Sequence, residues 1–257
     1  MQNDRPFPRR LIGMLTPSSN TVLEPYTSLL LEPMFPEVTA HFGRFRVTRI
    51  ALDEGASEQF RQEPILAAAE LLADARVDVL AWNGTSASWL GFDTDERLCE
   101  ALHARTGIRA TSAILGLNGL IRERSVKRLA LVTPYTPDVG ERIAANYASI
   151  GVSVVAGIHC GLSDNFSFAE ISEARIAAMC EDVAAAKPDA IAIVCTNMRG
   201  AVVGADLERR IGIPVYDSVS TTLWGCLRAL DVATDPLVRF GSMFATPRAS
   251  EMAVPAE

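Results

Sequence analysis

The chain has 257 residues, 49% of them apolar, and a net charge of −7. That length can bury a sizeable core as one large domain or two small lobes. The acidic balance leaves no electrostatic footprint for nucleic acid or an anionic membrane, and no apolar stretch reaches the length of a membrane span.

The polar start, Met1 to Arg10, runs into the first strand without the pattern of a secretory signal. The cysteines at 99, 160, 180, 195 and 226 form neither a disulfide ladder nor a CxxC metal pattern. A reducing cytoplasm is the expected compartment.

A first strand over residues 10–16 ends at Thr16-Pro17-Ser18-Ser19-Asn20-Thr21. Small hydroxyl and amide residues after a strand form a turn and cap the next helix, or contact a ligand. A helix is expected to about Leu31, then a strand from Phe42 to Ile50 with Arg44, Arg46 and Arg49 solvated. Pro64 to Ala75 reads as a helix with a broad apolar face. Val77 to Ala81 reads as a buried strand ending at Gly84-Thr85-Ser86. Helices follow over Asp95 to Thr106, which Gly107 stops, and over Ala113 to Arg122. His103 falls on the outside of the former.

The strand Arg128 to Val132 leads to Thr133-Pro134-Tyr135. Pro137-Asp138 caps a helix closed by Gly151, and Val152 to Gly157 is a short strand. His159 to Asn165 forms a polar loop. Glu170 to Ala186 is a helix with Cys180 on its core face. The strand Ala190 to Val194 stops at Cys195-Thr196-Asn197. A short helix from Asp206 to Ile211 precedes the strand Ile213 to Ser218, and Thr221 to Leu230 packs Trp224 and Cys226. Periodicity is lost after Thr234, and a frayed tail is expected after Ala245.

The alternation predicts an α/β fold with mostly parallel sheets. Within it the order strand, Thr-Pro-hydroxyl, strand, Gly/Cys-Thr-polar occurs twice. This argues for two pseudo-symmetric lobes, each a sheet flanked by helices, with one site in the cleft between them. Residues 1–112 plus 218–257 are assigned to the first lobe and 113–217 to the second. In parallel sheets, ligands gather beyond the carboxyl ends of the strands. Cys195 on one copy thus corresponds to Gly84 on the other.

Neither GxGxxG nor GxxxxGK[ST] occurs, and three isolated histidines supply no metal cluster. His159 is the one histidine on a strand-end loop that could serve a Cys-His couple. What remains is a thiol beside hydroxyls and backbone N–H groups. Such a set suits a carbanion formed next to a carboxylate. Thr85, Ser86, Tyr135 and the backbone at Cys195 and Thr196 are candidate donors to the enediolate, and a thiol suits proton transfer to or from carbon.

On Pro17-Ser18-Ser19-Asn20-Thr21 with Glu24-Pro25, Gly84-Thr85-Ser86-x-Ser88-x-x-Gly91, and Thr133-x-Tyr135 with Asp138-Val139, the chain resembles the aspartate/glutamate racemase superfamily. The similarity lies in its branch of arylmalonate decarboxylases and maleate cis-trans isomerases and covers residues 9–232. The racemases and isomerases use a cysteine on each lobe, whereas the decarboxylases have glycine on the first and cysteine on the second, as at Gly84 and Cys195. The resemblance implies that Cys195 is the proton donor. It also implies that Thr85, Ser86, Tyr135 and the N–H groups of Cys195 and Thr196 form the dianion hole, that Pro17, Ser18 and Asn20 contact the substrate, and that no cofactor is needed. Asn165 falls where the isomerases bind a substrate carboxylate. The polar Ser18-Ser19-Asn20 and Thr196-Asn197 replace more apolar and glycine-rich segments of the decarboxylases, which favours a smaller or more hydroxylated diacid.

The leading expectation is a cofactor-independent decarboxylase of an α-substituted malonate-type acid. The alternative is an isomerase or racemase of a small carboxylic acid, with Cys160 the candidate for a replacement thiol. A two-lobed binding protein without chemistry is the third reading. The partner in each case is a small carboxylic acid, and self-association into a homo-oligomer is left open.

Overall fold

The computed structural model describes residues 9–50, 52 and 62–246. The expected frayed tail therefore lies largely outside the described residues. Two four-stranded parallel sheets form the frame. The first contains β1 (Arg10–Pro17), β2 (Val38–Phe45), β3 (Val79–Trp82) and β4 (Arg109–Ser112), in the order β2-β1-β3-β4. The second contains β5 (Arg128–Thr133), β6 (Ser153–His159), β7 (Ala190–Ile193) and β8 (Val215–Asp217), in the order β6-β5-β7-β8. The same spatial order in both sheets gives the sequence duplication a structural form.

The central strands are continuous apolar runs because helices cover both faces of each sheet. Every residue of β3 and of β7 is buried. The helices that precede β5 in the chain are α1 (Leu23–Leu31), α2 (Gln62–Asp74), α3 (Ala87–Leu90), α4 (Asp93–Thr106) and α5 (Ala113–Glu123). Those that follow it are α6 (Pro137–Ser149), α7 (Glu173–Ala184), α8 (Gly204–Ile211) and α9 (Ser218–Ala229). As expected, Cys180 and Cys226 are core residues and His103 is exposed.

Helix α9 leaves the last strand of the second sheet and packs on α5 and on β3 and β4 of the first sheet. The crossing of α5 and α9 is close enough to require glycine: a Cβ at Gly116 would lie 2.4 Å from the Thr221 carbonyl oxygen. Asp217 starts α9, accepting the N–H groups of Val219 (2.8 Å) and Ser220 (3.1 Å) on Oδ1. The helix therefore begins at Ser218, three residues before the expected Thr221.

Two expectations need correction, and one strand is not anticipated by them. The edge strand β2 spans Val38–Phe45 and not Phe42 to Ile50. Beyond Phe45 the chain leaves the sheet and pairs with the 163–165 loop, through Ile50 N–H to Ser163 O (2.8 Å) and Asn165 N–H to Thr48 O (3.0 Å). Nor is Arg44 simply solvated, because its guanidinium donates to the carbonyls of Ser18 (2.9 Å) and Asn20 (3.1 Å) and pairs with Glu24. The four-residue strand β4 has only two partly buried residues and one buried one, so it carries no apolar run to reveal it.

For the strand order 2-1-3-4, the switch point lies between the first and third strands. In the first sheet that point falls at Pro17 and Asn83-Gly84, and in the second at Pro134-Tyr135 and Val194-Cys195. The two switch points face one another.

Candidate active site

A small cavity of about 20 Å³ lies where the two switch points meet, lined by residues of both halves. From the first come Pro17, Val47, Ile50, Asn83, Gly84, Thr85, Ser86 and Trp89; from the second come Tyr135, Asn165, Cys195 and Thr196. A water molecule needs roughly 10–15 Å³ by a comparable measure. The cleft as it stands holds little more than one water, so a diacid enters only if it widens.

Cys195 follows β7, with its backbone N–H donating to Ser218 Oγ (3.1 Å) and Ser218 in turn donating to Ile193 O (2.9 Å). The Asp217-Ser218 corner thereby fixes the turn carrying the thiol. Sγ accepts the Asn197 N–H at 3.3 Å. The side chain is 3% exposed, and burial pushes its pKa up to about 12, with nearby Asp217 adding to the rise. The Asn197 N–H and the Tyr135 hydroxyl pull the other way without cancelling it. At neutral pH, Cys195 is a thiol carrying its proton.

Tyr135 sits between the halves. Its hydroxyl is 2.6 Å from Thr85 Oγ1 and also reaches the Cys195 sulfur. Burial, with Cys195 beside it, raises the phenol well above its ordinary value, so it too is neutral. Edge-to-face contacts with Trp89 (5.2 Å) and Phe168 (5.5 Å) hold the ring. The sequence Thr85–Tyr135–Cys195 is a row of three neutral hydrogen-bonding groups spanning the cleft.

Other predicted site residues knit the halves together. Thr196 Oγ1 donates to Asn83 O (2.8 Å) and accepts from Asn20 Nδ2 (3.2 Å). Asn20 Oδ1 takes the N–H groups of Val22 (2.9 Å) and Leu23 (2.8 Å) at the start of α1. Asn165 lines the cleft and donates to Ser19 Oγ (2.7 Å), while its carbonyl accepts from Asn197 Nδ2 (2.6 Å). Asn197 Oδ1 receives the Thr21 N–H at 3.0 Å.

The fold thus brings Pro17, Gly84, Thr85, Ser86, Tyr135, Asn165, Cys195 and Thr196 to one cleft. Ser18 and Asn20 stand behind that layer: exposed Ser18 bonds the Val47 backbone, and both faces of the Asn20 amide are already used. His159 bonds Thr133 Oγ1 at 2.8 Å and lies outside the cleft lining. Cys160 is likewise outside, 3.6 Å from Met179 Sδ, so it supplies no replacement thiol. Sequence reasoning missed Val47, Ile50, Asn83 and Trp89 as lining residues, and Asp217 and Ser218 behind Cys195. For Asp217 a signal existed, since an acidic residue between a strand and a helix is a ready N-cap.

A family model described as arylmalonate decarboxylase matches residues 13–239. Among characterised relatives, the maleate isomerase of Geobacillus stearothermophilus is 26% identical over 236 residues, covering 87% of this chain and 92% of the relative. The arylmalonate decarboxylase of Bordetella bronchiseptica is 27% identical over 237 residues, covering 91% and 95%. Among solved structures, Nocardia farcinica maleate cis-trans isomerase superposes with a TM-score of 0.82 at 23% identity, covering 91% of this chain and 97% of the other. A crystal structure of arylmalonate decarboxylase gives 0.70 at 24% identity, covering 91% and 98%.

Proposed function

The chain belongs to the arylmalonate decarboxylase family, and from that premise we propose that it is a cofactor-independent decarboxylase of a small α-substituted malonate-type acid. The observation that carries the reading is the state of the sulfur. Cys195 is the sole thiol lining the cleft among the described residues, and it is buried and protonated. A thiol in that state suits proton donation and not nucleophilic attack, which needs the thiolate.

In the proposed reaction the bond between the α-carbon and one carboxylate breaks. Its electron pair moves onto the remaining carboxylate as an enediolate while CO2 leaves. Thr85, Ser86, Tyr135 and the Thr196 N–H would donate to that enediolate, where fixed donors stabilise developing charge most effectively; the Cys195 N–H, expected to join them, is instead taken by Ser218 Oγ. Cys195 then gives its proton to the α-carbon. The resulting thiolate, disfavoured by burial, takes a proton back from water. The cleft lining contains no Lys or Arg among the described residues, so neutral donors alone would hold the diacid.

A second reading is an isomerase of a small unsaturated diacid. It draws on Asn165, which lines the cleft, and on the isomerases among the relatives. One similar structure is a mutant Nocardia farcinica isomerase described as carrying a covalently bound succinylcysteine intermediate (TM-score 0.83, 23% identity). That chemistry asks for a nucleophilic sulfur, which the burial of Cys195 opposes.

Proton NMR in D2O separates the two. Methyl-, hydroxy-, vinyl- and phenylmalonate are each incubated with the enzyme, alongside maleate. Loss of one carboxyl with a single deuterium at the α-carbon, abolished by Cys195→Ala, is the expected result. Fumarate from maleate without malonate turnover would replace the decarboxylase reading by the isomerase one.

A further inference from the structure

Gly84, at the position where a second thiol would stand, has no room for any side chain. A Cβ built there would lie 1.9 Å from Trp82 Cζ2 and 2.3 Å from Cε2, the body of a rigid indole. Nor can the ring easily withdraw. Trp82 is 1% exposed, lies 5.2 Å from the Phe45 ring at a 45° tilt, and donates its indole N–H to the Asp95 carboxyl. Asp95 is itself held by Ser112, whose hydroxyl donates at 2.5 Å while capping α5 through the Leu115 N–H. The chain from Ser112 through Asp95 to Trp82 is buried throughout.

The indole also lines a second, half-open pocket of about 210 Å³, together with Ser86 and Asp95 among others. Ser86 also lines the Cys195 cleft, as does Gly84, against which the indole presses. Trp82 thus lines a pocket an order of magnitude larger than the cleft and abuts Gly84, which lines the cleft itself.

We propose that Trp82 is the specificity-determining wall of this site: it fills the volume that a side chain at 84 would need and shuts the cleft off from the larger pocket. The cleft is thereby limited to one acid-base thiol and to small α-substituents. The chemical consequence rests on the decarboxylase reading, whereas the geometric one does not.

The geometric arm is a double-mutant cycle read by thermal denaturation. Gly84→Ala is expected to lower Tm by more than about 5 °C in the native background. In a Trp82→Val background the same change should cost less than about 2 °C. Equal losses in both would overturn the wall. If Trp82→Val does not fold, Trp82→Phe, which removes the Cζ2 and Cη2 atoms yet keeps a ring beside Phe45, takes its place.

The chemical arm compares kcat/KM for phenylmalonate with that for methylmalonate. Trp82→Val or Trp82→Phe should raise this ratio at least about tenfold, a change that loss of stability alone would not produce. An unchanged ratio would overturn the inference. Adding Gly84→Cys to Trp82→Val should also give racemisation of a chiral acid product, formed from a malonate that carries two different α-substituents such as methyl and phenyl. One thiolate would take the α-proton and the thiol opposite would return a proton to the other face, with no net redox change. Equal racemisation by Gly84→Cys alone would refute the wall. If the native enzyme converts no malonate, the decarboxylase reading falls while the Tm cycle still decides the geometry.

Discussion

Asp217 makes the stability of this protein depend on pH in the direction opposite to that of a salt-bridged carboxylate. Its Oδ1 accepts two N–H groups at the start of α9, but Oδ2 is buried without a hydrogen-bond partner, and a Cβ at Gly200 would lie 2.5 Å from it. Burial raises the carboxyl from 3.8 to about 7, with the cap bonds opposing. The unfolded chain ionises near 3.8 while the folded chain holds its proton to about 7, so between those values the native state binds more protons. Stability then falls as pH rises. From pH 4.5 to 7.5 the loss from this one group is on the order of 3 kcal/mol, taking about 1.4 kcal/mol per pH unit. Asp217→Asn keeps the Oδ1 cap and removes the titration. Urea unfolding of both proteins at pH 4.5 and 7.5 should show the variant gaining about 3 kcal/mol on the wild type across the interval. A wild-type-minus-variant difference that stays constant with pH would refute a neutral, buried Asp217. Asp95 is raised to about 7 by the same cause and contributes its own share to both proteins, which the subtraction cancels.

Alkylation of Cys195 by iodoacetamide should be slow at pH 7.5 and climb about tenfold per pH unit through pH 10, as followed by mass spectrometry; a plateau below pH 8.5 would mean a thiolate. Tyr135→Phe removes the group between Thr85 and Cys195 and should cost about 100-fold in kcat with little change in KM. Steady-state kinetics with the best malonate checks this, and a loss confined to KM would assign Tyr135 to binding. Thr196→Val deletes a hydroxyl that donates to Asn83 O and accepts from Asn20 across the halves. It should destabilise the fold by about 1–3 kcal/mol in denaturant titration, and no loss would remove the role given to this tie.

What could be read in the sequence was the periodicity of strands and the residues at their ends. Thr16-Pro17 and Thr133-Pro134-Tyr135, with Gly84 and Cys195, all fall on one side because parallel strands deliver their carboxyl ends to the same edge. Two matching runs sufficed to anticipate a single cleft. Less legible was anything set by contacts between distant segments. Val47 and Ile50 reach the cleft because the chain after β2 pairs with the 163–165 loop, an association with no local pattern. Asn20 looked like a ligand group, yet its amide is consumed in starting α1 and holding Thr196. The wall at Trp82 was invisible for the same reason: a tryptophan on a buried strand reads as core, and only the tertiary approach of Phe45 and Asp95 turns its ring toward Gly84.

A cleft whose described lining residues are all uncharged, within a chain of net charge −7, looks poorly suited to a dianion. The proposed reaction resolves the difficulty. A lysine or arginine in the cleft would stabilise the ground-state dicarboxylate as much as the enediolate, and interactions common to both states do not accelerate the chemical step. Neutral donors fixed around one carboxylate act chiefly as charge accumulates there, because their bonds strengthen with that charge and need no reorientation. The other carboxylate, given no cation, is the one favoured to leave as neutral CO2. Burial of Cys195 serves the same end: the thiol keeps its proton until a carbanion appears, and the thiolate left behind is basic enough to recover a proton from water. Placing a lysine in the cleft lining, as in Val47→Lys, should therefore lower KM for the diacid by several-fold while lowering kcat or leaving it unchanged. A rise in kcat would mean that charge capture, and not its timing, limits the enzyme.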